Sequence, residues 1–202
     1  MATTIDDVDH LRRLYGAVPK RAAGKVHTRL DRHDRAFVAA SPFLVLATAA
    51  ADGLLDVSPR GDAPGFVHVL DDSTVVLPDR PGNNRIDSLV NVLSDPRASM
   101  IFLVPGVGHT LRLNGKAVVS TDPELLALGA VRDRLPVTAL VLTVHAALYQ
   151  CPRALVRSRL WDTDRHVDAS ALASLDEVLA DQVPDLSLAE SVRLGGRSDP
   201  LW

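Results

Sequence analysis

The sequence predicts a mainly β, α+β fold: an antiparallel barrel or sandwich with flanking helices. Three observations predict it. Short apolar runs recur closely enough to give about seven strands in roughly 110 residues. Turn signals separate them, and Asp52-Gly53 between two apolar runs is a strong hairpin signal. Helical patterning lies mainly before and after that series, and its close hairpin spacing disfavours βαβ units.

The elements follow in chain order. Residues 1–42 form an N-terminal helical segment with breaks. Leu11, Leu14, Tyr15 and Val18 sit at helical spacing, Pro19 ends that pattern, and Leu30 to Ala40 supplies a second short helix. Between them Lys20, Arg21, Lys25 and Arg29 form a basic cluster, read as solvated surface. Residues 43–160 carry the strands. FLVLATAA pairs with LLDVSPR, and GFVHVL pairs with STVVLP around Asp71-Asp72. RASMIFLV and TLRLNGKAVVS flank a PGVG loop. Asp122-Pro123-Glu124 opens a short helix, and TALVLTVHAALYQ is a long strand. Residues 161–202 hold a C-terminal helix and tail, with Leu172, Leu175, Val178 and Leu179 on one face of residues 171–181. The three segments are expected to make one structural domain.

Composition excludes several classes. With 202 residues, 47% of them hydrophobic, the chain can bury a sizeable core. A net charge of −3 argues against a dedicated nucleic-acid binder. Cys151 is the only cysteine, so neither an intrachain disulfide nor a cysteine-based zinc site can form. The start, MATTIDDVDH, has no apolar signal-like region, and the run from Phe43 to Ala51 is too short to cross a bilayer. A cytoplasmic protein without membrane contact is expected. The histidines, including His68, His109 and His145, lack metal-ligand spacing, so no metal is expected. Gly106-Val107-Gly108 precedes a strand and is no dinucleotide fingerprint. Ser58 has no evident base, and Cys151 reads as a buried structural thiol. Arg60-Gly61-Asp62 reads as a coincidental tripeptide.

The most informative stretch is VVLPDRPGNNRIDSLVNVL, residues 75–93. A strand ends at Pro78, a turn-rich loop follows, and a helix begins with Ile86, Leu89, Val90 and Leu93 on one stripe. Asn83 or Asn84 is a natural N-cap, which puts Arg85 in the first turn, where the helix dipole disfavours a cation. A phosphate at that helix start would accept bonds from Arg80, Arg85 and free backbone N–H groups. The plainer alternative is a surface helix with Asp87 offsetting Arg85. Arg112 lies in a polar row with Thr110 and Asn114, facing either ligand or solvent. Pro59 cannot donate a ladder bond, so Asp56–Arg60 is an edge or bulged strand, sometimes a ligand wall.

Taken in order, Phe43–Ala50, Gly53–Arg60, GFVHVL, TVVLPDRPGNNR, SDPRASMIFLV and TLRLNGKA resemble the pyridoxamine-5′-phosphate-oxidase-like flavoproteins. The likeness spans roughly residues 36–160 and is greatest to bacterial probable FMN-dependent enzymes with a PDRPGNNR-like loop and a CPRALVRSRLW-like segment. The resemblance implies an FMN-binding split β-barrel that works as a homodimer with FMN at the subunit interface. It implies that Ser58, Pro59 and Arg60 line the isoalloxazine or ribityl region, and that Pro78 and Asp79 lie beside the cofactor. It assigns the phosphate to Arg80, Asn83, Asn84 and Arg85, with a further polar contact from Arg112. The chain departs from the oxidases proper, which carry a Tyr-x-Ser-Arg-Lys-Gly-type loop and a Gln-Val-Arg-x-Glu-Gly strand. Here the strand reads Thr110-Leu111-Arg112-Leu113-Asn114-Gly115, so pyridoxamine phosphate is doubtful as substrate.

The expected function is therefore that of an FMN-dependent oxidoreductase with an unidentified small-molecule substrate and no assigned catalytic side chain. The alternatives are a non-enzymatic flavin-binding or stress-response module, or a split barrel holding haem or a deazaflavin. Trp161 or Trp202, the only tryptophans, is expected near the flavin.

Overall fold

The computed structural model describes residues 4–195. Its strands are β1 (Phe43–Ala49), β2 (Leu55–Gly61), β3 (His68–Val69), β4 (Thr74–Pro78), β5 (Arg97–Leu103), β6 (Thr110–Ser120) and β7 (Ala139–Gln150). The helices are α1 (Val8–Tyr15), α2 (Lys20–Ala23), α3 (Arg32–Ala40), α4 (Asp87–Ser94), α5 (Pro123–Leu128), α6 (Arg153–Ser158), α7 (Leu175–Gln182) and α8 (Leu188–Gly195). The strands form one antiparallel sheet in the order β2-β1-β5-β6-β7-β4-β3. Its outer strands, β2 and β3, do not pair, so the sheet curls without closing.

Strand alternation builds the core. Leu46, Met100, Leu113 and Ala147 stand opposite one another across β1, β5, β6 and β7, and all four are buried. Leu44, Phe102 and Leu111 make the next buried row. Directly opposed residues point to the same face, so each row is a continuous apolar layer. The β6–β7 register shifts by one residue beside Gly115. A Cβ there would lie 1.9 Å from the Thr143 carbonyl oxygen, so only glycine fits.

Helices α3 and α4 cover parts of this sheet. Asp31 caps α3 in a reciprocal box with Asp34. The Asp34 side chain is fully buried and lies 2.7 Å from His27 Nε2. His27 also exchanges backbone hydrogen bonds with Ala147 of β7, which ties the N-terminal segment to the sheet. Burial opposes charge on the His27 ring, but bonds to the Asp34 carboxylate and Lys25 carbonyl, with the nearby acids, outweigh it. The net shift of its pKa is upward.

Helix α4 corrects an expectation. Of the stripe Ile86, Leu89, Val90 and Leu93, only Leu89 packs against the core; Ile86, Val90 and Leu93 are exposed, and the buried residues are Ser88, Asn91 and Val92. The helix lies where the sheet offers hydroxyls and a carboxylate. Asn91 donates to Thr48 Oγ1 at 3.0 Å and Ser88 donates to Asp56 at 2.8 Å. Buried polar groups on the sheet need partners, and satisfying them turns the polar side inward.

Two further expectations change. The C-terminal helix begins at Leu175, not at residue 171, because Ser174 forms a capping box with Glu177. Cys151 is an exposed free thiol rather than a buried one, since it follows the end of β7 and precedes Pro152 at the start of α6. Among the described residues, no helix is long and apolar enough to cross a membrane.

Candidate functional site

A cleft of about 500 Å³ opens where edge strand β2 faces the loop between β4 and α4. Asp56, Ser58 and Arg60 sit at alternate positions of β2, so all three side chains share the face that carries Thr48, Leu46 and Leu44 on β1. The edge position of β2, inferred from Pro59, is observed. The far wall is Asp79 to Ser88, and Leu135, Pro136 and Val137 before β7 complete the lining.

Side chains bridge the gap that the sheet leaves open. Arg60 Nη1 donates to Asp79 Oδ1 at 3.1 Å, and Arg60 Nε donates to Ser58 Oγ at 3.2 Å. Ser58 Oγ lies 3.2 Å from Ser88 Oγ, and Ser88 donates onward to Asp56. A chain of polar contacts thus runs from Asp79 through Arg60, Ser58 and Ser88 to Asp56. Burial pushes the Asp79 carboxyl above the usual carboxylate range, although Arg60 pulls the other way.

The three cleft arginines differ. Arg80 Nε lies 2.6 Å from Asp62 Oδ2, an ion pair without hydrogen-bond angles, and Arg80 Nη1 donates to the Gly129 carbonyl. Both side chains of that pair are largely buried, at 16% and 20% exposure. Gly129 can present its carbonyl because its Cα packs on Pro78; an added Cβ would come within 2.6 Å of the Pro78 ring. Arg80 is therefore a clamp between β2, β4 and the turn after α5. Arg85 pairs with Asp87 at 2.8 Å, but the pair is exposed at 72% and 47%, so its guanidinium can turn to a ligand at little cost.

The expected phosphate cradle needs correction in one respect. Helix α4 starts at Asp87 with Ile86 as its N-cap, so neither asparagine caps it and Arg85 precedes the first turn. Asn83 Oδ1 instead accepts from the Arg85 N–H, and Asn84 and Ile86 take left-handed φ values of 60° and 51°. An Asx turn and two left-handed residues lengthen the loop at the helix's expense.

Of the ten residues singled out in the sequence, the structure brings eight to the cleft: Ser58, Pro59, Arg60, Asp79, Arg80, Asn83, Asn84 and Arg85. Pro78 is buried at the end of β4, behind the wall. Arg112 is not in the cleft. It stands in register with Ile101, Val45 and Pro59, on the sheet face opposite Ser58 and Arg60. Its Nε is buried without a hydrogen-bond partner. Trp161 is not a cleft residue either; its indole N–H donates to the Val107 carbonyl at 2.9 Å. Trp202 lies outside the described residues. Sequence reading placed Asp56 in a possible ligand wall with Ser58 and Arg60, but no local signal marks Ser88 or Leu135–Val137. Among the described residues, no group of three or more His, Cys, Asp or Glu side chains could hold a metal ion.

An open, curled antiparallel sheet with a cleft at its unpaired edge defines a split-barrel protein. The pyridoxamine 5′-phosphate oxidase family model matches residues 30–151, more than half of the chain, and the chain belongs to that family. Among solved structures, a histidine-to-alanine variant of HupZ from Group A Streptococcus superposes with a TM-score of 0.50 at 14% identity. It covers 60% of this chain and 99% of its own. A putative pyridoxamine 5′-phosphate oxidase from Lactobacillus delbrueckii gives 0.46 at 18% identity, covering 60% and 95%. An FMN-binding protein from Syntrophomonas wolfei gives 0.45 at 11% identity, covering 57% and 82%. Among curated proteins, none matches the chain by sequence.

Proposed function

We propose that the cleft binds FMN and that the protein is an FMN-dependent oxidoreductase acting on a small molecule. The observation that carries this reading is the cleft itself, inside a chain of the pyridoxamine 5′-phosphate oxidase family. The lining supplies what FMN requires. Arg85, Asn83 and Asn84 offer donors to a phosphate, while Pro81, Ile86, Leu135, Pro136 and Val137 offer apolar surface to a planar ring. Ser58 and Arg60 sit between, positioned to bond the ribityl chain or ring edge. When bound, FMN supplies the hydride or electron chemistry. The protein's own residues bind and orient it, and the Asp79–Arg60–Ser58 chain holds polar hydrogens in fixed directions beside it.

The proposed working form is a homodimer with the cofactor at the interface. Two features support it. Val137 in the cleft lining, Leu55 and Val57 on the outer face of edge strand β2, and Leu93 of α4 are more than 60% exposed. Arg112 sits on the sheet face away from its own cleft, so it can reach a cofactor only in a second copy.

Absorption of the purified protein tests the cofactor. FMN gives two bands, in the near ultraviolet and the blue; a dominant Soret band would replace this reading with haem, and a single violet band with a deazaflavin. Bleaching of the flavin by a reduced nicotinamide or another donor, followed by reoxidation with a small acceptor, tests the oxidoreductase reading against a passive flavin-holding module.

A further inference from the structure

The two ends of the described chain carry opposite charge. Residues 4–30 hold Arg12, Arg13, Lys20, Arg21, Lys25 and Arg29 against Asp6, Asp7 and Asp9, and the three acids all precede residue 10. Residues 166–195 hold Asp168, Asp176, Glu177, Asp181, Asp185 and Glu190 against a single basic residue, Arg193. All six N-terminal basic residues are exposed, as are five of the six C-terminal acids. Among the described residues, no ion pair joins the two segments.

Both ends also expose apolar surface. Helix α1 buries none of its residues and leaves Leu11, Leu14 and Tyr15 exposed. Helix α7 packs chiefly on α8, with Leu175, Leu188 and Val192 exposed. Each of these helices has eight residues, fewer than the roughly 12–15 at which an isolated helix becomes even marginally stable in water. Such helices persist when a partner covers their apolar side.

We infer that the basic N-terminal segment of one copy docks on the acidic α7–α8 hairpin of a second copy, and reciprocally. The surfaces are opposite in net charge and both expose apolar residues, and Arg12, Lys20, Arg21 and Lys25 are the basic side chains not already held by Asp7 or Asp72. A two-fold dimer uses the pair twice, which leaves no unmatched copy of either. This inference rests on the proposed homodimer and adds to it a specific contact outside the cleft.

Two variants test it. The first, basic-deficient, carries Arg12→Gln, Arg13→Gln, Lys20→Gln and Arg21→Gln. The second, acid-deficient, carries Asp181→Asn, Asp185→Asn and Glu190→Gln, the last of which keeps the capping contact with Ser187. Each variant alone should self-associate about tenfold more weakly than wild type at low salt, and the difference should vanish near 0.5 M salt, roughly where the Debye length falls below 5 Å. Neither variant's homodimer retains a matched contact, but their heterodimer retains one. Native mass spectrometry of an equimolar mixture should therefore show heterodimer above the statistical half. Weakened variants whose mixture stays statistical would place the contact within one chain and overturn the inference. Variants that dimerise as wild type would refute the contact and leave the homodimer standing. Wild type that stays monomeric at micromolar concentration would remove both. Binding of a short DNA duplex through residues 10–30, with statistical mixing, would assign the basic segment to nucleic acid instead.

Discussion

The central sheet and the cleft edge are held by different forces. Between β1, β5, β6 and β7, backbone ladders and fully buried rows such as Leu46–Met100–Leu113 hold the strands together. Across the gap between β2 and the end of β4, contact is by side chains: Arg60 with Asp79 and Arg80 with Asp62. Close-packed apolar layers respond to volume, and polar bridges respond to charge and to ligands. A split barrel can therefore keep a close-packed scaffold beside an edge whose polar bridges respond to what enters the cleft.

The comparison breaks most completely at Gly115. Gly115→Ala forces a methyl group onto the Thr143 carbonyl and must part β6 from β7. A loss of about 3 kcal/mol or more is expected, with failure to fold as the extreme. Urea denaturation measures it; a loss under about 1 kcal/mol would mean that the register shift relaxes freely.

Arg80→Ala tests whether the polar bridge also supports the fold. It strands Asp62 and the Gly129 carbonyl, both drawn to a largely buried guanidinium. A loss of about 1–3 kcal/mol is expected, together with weaker FMN and riboflavin binding alike, because the whole wall shifts. Full stability with a loss confined to FMN would make Arg80 a phosphate ligand rather than a clamp.

Arg85→Ala should separate ligand from scaffold. Its ion pair is exposed, so stability should change by less than about 0.5 kcal/mol. FMN should weaken about tenfold to a hundredfold through the lost charge-assisted bond, and riboflavin, which lacks the phosphate, should hardly change. Parallel titrations of the two flavins decide this, and equal losses would refute the phosphate assignment.

The smallest effect concerns the N-terminal tie. His27 has its pKa raised in the folded state, so the folded protein holds that proton more tightly. Its contribution is fully present below the ring's unfolded value of about 6.5 and is lost as pH rises through the folded value. Melting temperature should fall modestly across that window in wild type and stay flatter in His27→Gln. Identical slopes would show that the Asp34 contact carries no linkage.

What the sequence by itself determined was local. Alternation and turn chemistry located the strands, because a two-residue period and an Asp-Gly turn each act within a few residues. Pro59 marked an edge strand for the same reason: a missing N–H is a property of one residue. The turn-rich loop from Asp79 to Asn84 stood out by composition, and the family resemblance rested on that order of motifs. Only the tertiary structure decided which partners meet. Ile86, Val90 and Leu93 of α4 face outward while Leu89 and Val92 pack inward, because Thr48 and Asp56, more than thirty positions away in sequence, claim Asn91 and Ser88 beside them. Arg80 became a clamp because Asp62 and Gly129 converge on it, and Arg112 fell on the face away from the cleft because of its register with Ile101 and Val45. Periodicity fixes how a segment is patterned; long-range pairing fixes what each face of that pattern touches.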